Sequence, residues 1–380
     1  MKLSPEEYKR YDRHLKLENV GVEGQLKLKN SKVLVIGAGG LGCPALLYLA
    51  AAGVGTIGIV DFDAVDISNL QRQILYSTTD IGKQKAICAA LHLKANNPTI
   101  DIECYNEKLT VKNAIEIFTK YDIIIDGTDN FETRYLINDA CVLCGKILIY
   151  GCIEKFEGQV SVFNSPLSAG KRSATYRCLF PKPPESVQVN CSEAGVLGVL
   201  PGIIGSIQAT EAIKIILNIG ESLAGKLLLV DALSMQFSKL GIERNESNWE
   251  NFPQTVEQFE KTDYPAFCKV KRPASSINSV SADELFAMIF ENQKFQLIDV
   301  RQPEEQPVFD FCKNLNIPLD SILERKNEIR DDVQVVFFCS SGKRSIQALQ
   351  LLSESYQIEN LFHLEGGIAE WMKISTIIKQ

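Results

Sequence analysis

Residues 32–73 constrain the fold more than any other stretch of the chain. Lys32-Val33-Leu34-Val35-Ile36 is a short apolar, β-branched run, the pattern of a strand buried in a parallel sheet. It empties into Gly37-Ala38-Gly39-Gly40-Leu41-Gly42, then a strongly helical run over 44–52, then a second strand, Thr56 to Val60, ending at Asp61. Strand, glycine turn, helix, strand and acid in that order form a mononucleotide-binding βαβ unit. Glycines let backbone N–H groups and a helix N-terminus approach phosphate, so Gly37, Gly39, Gly40 and Gly42 are the candidate phosphate positions. Asp61 sits where a ribose hydroxyl would be held. Taken alone, the turn reads as a nicotinamide or flavin site.

The rest of the first half extends the same α/β class. Ser4 and Pro5 read as a helix start, followed by the polar arm Arg10-Tyr11-Asp12-Arg13-His14. A helix is expected from about Lys85 to Asn96, a strand from Asp101 to Tyr105 and a short helix from Val111 to Phe118. Asp122 to Asp126 is another buried strand and ends in Gly127-Thr128-Asp129-Asn130. Open α/β sheets bind ligands beyond the carboxyl ends of their strands. Asp61 and Asp129 both fall at such ends, and two acids beside a phosphate cradle suggest a nucleotide with Mg2+. Further strands are expected at 147–150 and, by alternation, at 158–163. Residues 165–190 read as a long mobile crossover leading straight to Cys191, before a helix from Leu200 to Leu217 and a closing hairpin over 226–242.

Residues 245–277 carry Asn, Glu, Pro and Ser without sustained periodicity and read as a linker, which makes 1–244 one domain and 278–380 a second. The second begins with a capped helix at Ser281 and strands at 295–300 and 333–338. The last strand runs into Cys339-Ser340-Ser341-Gly342-Lys343-Arg344-Ser345 and a helix from Ile346 to Ser353.

A net charge of −7 and a pI near 5.3 argue against a nucleic-acid or anionic-membrane binder. The N-terminus is too charged for a signal peptide. The most apolar segment, 194–219, is interrupted by Pro201, Ser206, Gln208, Glu211 and Lys214, so no membrane span and a cytoplasmic location are expected. The eleven cysteines show no disulfide spacing, and Cys141-Val-Leu-Cys144 falls in a helical pattern with no histidine near it, which favours core packing over a metal site.

Taken together, Gly-x-Gly-Gly-Leu-Gly, Asp61-Phe62-Asp63, Ser68-Asn69-Leu70-Gln71-Arg72-Gln73, Gly82-x-x-Lys85 and Thr128-Asp129-Asn130 resemble the MoeB/ThiF family, bacterial relatives of ubiquitin-activating enzymes, over about 5–243. The resemblance implies a Rossmann-like, ubiquitin-activating-type adenylation domain with a mixed sheet, working as a homodimer. The implied reaction is ATP-dependent adenylation of the C-terminal glycine of a ubiquitin-like sulfur carrier of the MoaD/ThiS type, in molybdopterin or thiamine biosynthesis or another sulfur pathway. Attack of a carboxylate on the α-phosphate builds charge on phosphate oxygens. Arg72 and Lys85 would stabilise it, Asp129 would ligate Mg2+, and Gly40, Asp61 and Asn69 would hold the nucleotide. Ser68, Leu70, Gln71 and Asn130 come with the same motifs. Arg13, by resemblance to the family's Arg-Tyr-x-Arg arm, would reach into the partner subunit's site, and Cys191 matches the family's mobile catalytic cysteine. Relatives hold a structural zinc with two Cys-x-x-Cys pairs. Here one pair reads Thr175-Tyr176-Arg177-Cys178 and 244–253 holds no cysteine, so no zinc is expected.

The loop Cys339 to Arg344, with Leu297-Ile-Asp-Val-Arg301, Asn316-Ile-Pro-Leu319 and Leu364-Glu-Gly-Gly-Ile-Ala-Glu-Trp371, resembles a small α/β rhodanese domain over 278–378. A thiol ringed by backbone N–H groups, with Lys343, Arg344 and a helix N-terminus, suits a thiolate or persulfide anion. Its sulfur would come from a donor such as a cysteine desulfurase. The loop around Asp310 departs from the family, lacking its usual His-Ile-x-Gly-Ala. Two rival readings are a dinucleotide-dependent oxidoreductase fused to a rhodanese, and a non-catalytic carrier-binding scaffold.

Overall fold

The structure is a computed structural model that describes residues 2–183, 195–245, 252–268, 278–291, 293–355 and 360–378. The chain divides near residue 270 into two compact units.

The first unit is built on an eight-stranded mixed sheet in the order β3-β2-β1-β4-β5-β6-β7-β8. The strands are β1 Lys32–Ile36, β2 Thr56–Val60, β3 Asp101–Tyr105, β4 Ile123–Asp126, β5 Ile147–Glu154, β6 Glu157–Phe163, β7 Lys226–Asp231 and β8 Gln236–Gly241. Strands β3 to β5 in that order run parallel, and β6, β7 and β8 add on antiparallel. Strand β1 pairs with β2 on one side and β4 on the other, so the chain reverses its winding direction at the carboxyl end of β1. A crevice opens where winding reverses, and ligands of such sheets sit there. One apolar cluster packs the helices Gly42–Ala52, Lys85–Asn96 and Leu200–Leu217 on one face. The other face is covered by Ala114–Thr119 and Phe131–Leu143.

Most sequence expectations hold to within a few residues, and the departures have local causes. Strand β5 runs on to Glu154 because its antiparallel pairing with β6 continues to the Glu154–Glu157 pair at a tight turn. The short helix starts at Ala114, after Asn113 Oδ1 has accepted Thr110 N–H at 2.8 Å and held the chain in a turn. Against the expectation of no membrane-length segment, Leu200–Leu217 is long and apolar enough to cross a bilayer by length and composition. It packs as a core helix, with Gln208 Nε2 donating to the Asp126 carbonyl at 2.7 Å and Glu211 accepting Leu223 N–H at 2.8 Å.

The segment read as a linker needs correction. Its described part, 252–268, forms the helices Val256–Glu260 and Tyr264–Cys268 and buries Phe252, Phe259 and Tyr264 on the first unit. Separate aromatic anchors do this, not an amphipathic stripe, so periodicity could not reveal it. Arg177 is the centre of the attachment. It forks onto Asp139 (Nε–Oδ1 2.9 Å, Nη2–Oδ2 2.7 Å), Tyr264 donates its hydroxyl to the same carboxylate at 2.8 Å, and the guanidinium lies within 5 Å of the Tyr135, Phe252 and Phe267 rings. Nearby, Cys178 Sγ accepts N–H bonds from Thr175 and Asn245, each at 3.4 Å. Replacing Arg177 with Met leaves Asp139 buried without its counter-charge and is expected to cost about 3–5 kcal/mol. Urea unfolding of the full chain measures it, and an unchanged midpoint would contradict this account.

The second unit is a parallel five-stranded sheet, β11-β10-β12-β13-β9. Its strands are β9 Asn278–Val280, β10 Phe295–Asp299, β11 Leu315–Asn316, β12 Gln334–Phe338 and β13 Leu361–Leu364. A capping box between Ser281 and Glu284 starts the helix Ala282–Phe290. In the atypical loop, Phe309 is buried against Phe338 and Trp371, with ring centroids at 5.0 and 5.1 Å, so an aromatic plug anchors it.

Candidate active site

The glycine turn is shaped by what its backbone must approach. Gly37 has φ +86°, and a Cβ there would lie 2.9 Å from the Gly127 carbonyl oxygen at the end of β4. A Cβ on Gly42 would lie 1.9 Å from the Gly37 carbonyl oxygen, so the helix Gly42–Ala52 can begin against the turn only with glycine in place. Asp61, at the end of β2, ties the turn down. One carboxylate oxygen accepts Ala38 N–H and the other Asp63 N–H, both at 2.8 Å. Burial pushes the Asp61 carboxyl up from its ordinary range, and these two N–H donors pull against the rise.

A cleft of about 560 Å³ opens beyond the carboxyl ends of β1, β2 and β4, within the size range of small-molecule and cofactor sites. It gathers most of the expected residues: Gly37, Gly39, Gly40, Asp61, Ser68, Asn69, Arg72, Lys85, Asp129 and Asn130 all line it. The remaining ones separate by role. Gly42 is a packing glycine below the turn. Leu70 and Gln71 do not line the cleft, and a Cβ on Gly198 would meet the Gln71 carbonyl oxygen at 2.5 Å, so Gln71 seats the chain that follows the crossover. Asn130 uses its Oδ1 to accept Thr133 N–H at 2.9 Å and caps the helix Phe131–Leu143. Arg13 is exposed on the short helix Asp12–Leu15, outside this chain's own cleft. Cys191 lies outside the described residues, although Val196, five positions on, lines the cleft.

The cations are held in different ways. Lys85 is buried and donates from Nζ to Asp63 Oδ2 at 3.0 Å, so it is already paired. Arg72 donates from Nη1 to the Ser68 carbonyl at 3.1 Å at the partly exposed rim. Asn69 is locked by Gln73, whose Nε2 donates to its Oδ1 at 2.8 Å. The Asp129 carboxylate is exposed at the cleft and has no hydrogen bond or ion pair with any described residue. An exposed carboxylate lining the same cleft as a glycine turn is the kind of ligand that could hold Mg2+, which binds through one or two carboxylates with phosphates and water. Asp63, Gln73 and Arg134 also belong to the cleft wall and were not singled out from the sequence. Asp63 was within reach, being the second acid of the Asp61-Phe62-Asp63 motif. Arg134 gave no signal beyond its place in a helical pattern.

In the second unit, Cys339 directly follows β12 and is 1% exposed, with Sγ 3.9 Å from Ser345 Oγ. Gly342 takes φ +88° to turn the loop, and the helix Lys343–Ser355 starts earlier than expected, inside the loop itself. The helix Gly367–Ile378 closes over it, with Ile368 N–H on the Cys339 carbonyl at 2.8 Å and Ala369 N–H on that of Ser340 at 3.1 Å. Arg344 is not free to face the thiol alone. It forks onto Glu305 at 2.5 and 2.7 Å and also reaches Ser340 Oγ at 3.0 Å. The Arg344 guanidinium holds the Glu305 carboxyl down at about 2. This pair therefore contributes fully above the ordinary glutamate range and fails only as pH falls towards 2. Glu305 is a loop-shaping residue that the sequence reading missed, 39 positions away from its partner.

Comparison with known proteins agrees with this geometry. The ThiF family matches residues 11–251, and the Rhodanese-like domain family matches 281–374. A probable adenylyltransferase/sulfurtransferase MoeZ of Mycobacterium tuberculosis is 44% identical over 98% of this chain and 94% of its own length. A sulfur carrier protein adenylyltransferase of Thermus thermophilus is 50% identical over 71% of this chain and all of its own length. Among solved structures, Escherichia coli MccB with MccA-N7isoASN gives a TM-score of 0.55 at 21% identity, covering 64% of this chain and 74% of that one, which speaks to the fold alone. Motifs, sheet order, cleft and relatives agree: the chain belongs to the ThiF family and carries a C-terminal rhodanese-like domain.

Proposed function

We propose that the chain adenylates the C-terminal glycine of a small ubiquitin-like sulfur carrier of the MoaD/ThiS type with ATP, and then converts it to a thiocarboxylate. The carrier's carboxylate displaces pyrophosphate from the α-phosphate to give an acyl-adenylate. The outer sulfur of a Cys339 persulfide, loaded by a donor such as a cysteine desulfurase, attacks the acyl carbon and expels AMP. A second thiol, assigned to Cys191, attacks the Cys339 sulfur of the resulting acyl-disulfide and releases the thiocarboxylate. The two cysteines are left as a disulfide, which a small-molecule or protein thiol reduces.

The observation that carries this reading is the exposed Asp129 carboxylate, unpaired among the described residues, which lines one cleft with the glycine turn, Lys85 and Arg72. Asp129 would hold Mg2+, which when bound supplies charge neutralisation at the phosphates. Arg72 and Lys85 would take up charge developing on the phosphate oxygens, with Asp63 keeping Lys85 oriented. The exposed position of Arg13, away from its own cleft, supports its delivery to the partner subunit of a homodimer. The anchoring of Val196 at the cleft supports Cys191 as the second thiol. A cytoplasmic enzyme without nucleic-acid or membrane partners completes the reading, in keeping with the net charge of −7. ATP–pyrophosphate exchange tests it. Exchange is expected only when a carrier ending in Gly-Gly is added, and its absence with every such carrier would overturn the adenylating half.

A further inference from the structure

Arg134 is a buried cation in the cleft wall to which the reaction above gives no task. It stands one turn into the helix Phe131–Leu143 and is 4% exposed. Its Nη2 donates to the Thr128 carbonyl at 2.9 Å, its Nε lies 3.4 Å from Asp126 Oδ2, and its Nη1 lies 3.5 Å from Cys152 Sγ. The Phe131 and Tyr150 rings flank the guanidinium at 5.7 and 5.3 Å. The fully buried Asp126 uses its other oxygen to accept both Thr128 N–H (2.9 Å) and Thr128 Oγ1–H (2.6 Å). Every polar atom of Thr128 is therefore gripped, its N–H and hydroxyl by Asp126 and its carbonyl by Arg134. The next residue is Asp129, whose own carboxylate has no partner among the described residues.

A buried ion pair is costly to desolvate, and an apolar pair of similar volume would serve stability as well or better. A role in geometry accounts for it where stability does not. We propose that Arg134 is a positioning residue that, through Asp126 and Thr128, aims the Asp129 carboxylate at the Mg2+-bearing phosphates. This rests on the adenylation reading. Partners that orient a metal ligand are commonly worth ten- to a hundredfold in metal affinity.

The test is a double-mutant cycle read by binding. ATP affinity is measured by calorimetry on the full chain in excess Mg2+ and in EDTA, for the native protein, Arg134→Lys, Asp129→Asn and the double variant. Lys keeps the charge and loses the planar spread of Nε, Nη1 and Nη2 over three partners. Arg134→Lys is expected to lose about tenfold of the Mg2+-dependent gain in affinity with little change in EDTA. Asp129→Asn should abolish the gain, and adding Arg134→Lys to it should cost nothing more. Thr128→Val removes the hydroxyl bond to Asp126 while keeping both Asp126 and Arg134, and should lower the gain in the same sense if Arg134→Lys fails to fold. Additive losses in the double variant, or a Thr128→Val chain with the full native gain, would overturn the proposal. A native gain kept intact by Arg134→Lys overturns it alone, whereas a native chain with no Mg2+-dependent gain defeats the adenylation reading itself.

Discussion

Replacing Cys339 with Ala is expected to abolish thiocarboxylate formation while carrier-dependent ATP–pyrophosphate exchange stays within about twofold of native, as for sites that share no partners. The loss is absolute because Sγ is the atom that carries the sulfur, and no oxygen or methyl group in its place can form a persulfide. The substitution is structurally mild. Cys339 is buried just after β12, and the contact of its thiol with Ser345 Oγ is a long one, 3.9 Å. The Glu305–Arg344 fork and the bonds from Ile368 and Ala369 to loop carbonyls do not use the thiol, so the loop should keep its shape. Mass analysis of the carrier's C-terminus after incubation with ATP and a persulfide donor is the measurement. Thiocarboxylate formed at the native rate by the Cys339→Ala chain would remove the rhodanese-like domain from the reaction.

Asp129→Ala is expected to show the converse pattern. Exchange should fall by roughly a hundred- to a thousandfold, the scale on which a single electrostatic contributor to a transition state is felt. Sulfur loading of Cys339 by the donor should be untouched. Stability should hardly move, because Asp129 is exposed and has no partner among the described residues, and the cap of the following helix is Asn130. Steady-state exchange beside a thermal melt separates the two effects. A fall in exchange matched by a fall in melting temperature would make Asp129 a structural residue.

The framework of both units was legible because buried parallel strands are short apolar runs and the turns between them carry glycine. Gly37, Asp61, Arg72, Lys85 and Asp129 could be placed because each belongs to a motif confined to a few residues. What stayed hidden depends on pairing across sequence distance. Asp126 looked like the tail of an apolar strand and Arg134 like part of a helix, yet they meet beside the cleft. Glu305 has no local signal for its hold on Arg344. Gln71 and Asn130 share motifs with cleft residues but serve neighbouring backbone, a distinction that spacing does not encode.

The docking of 252–268 through Arg177 also moves the edge of the first unit. Phe252, Phe259 and Tyr264 are buried on it, and Tyr264 shares the Asp139 carboxylate with Arg177. A chain cut at residue 244, where composition alone would place the boundary, would strip three aromatic side chains from that surface and wet a buried charge pair, so a first unit made alone has to run at least to Cys268.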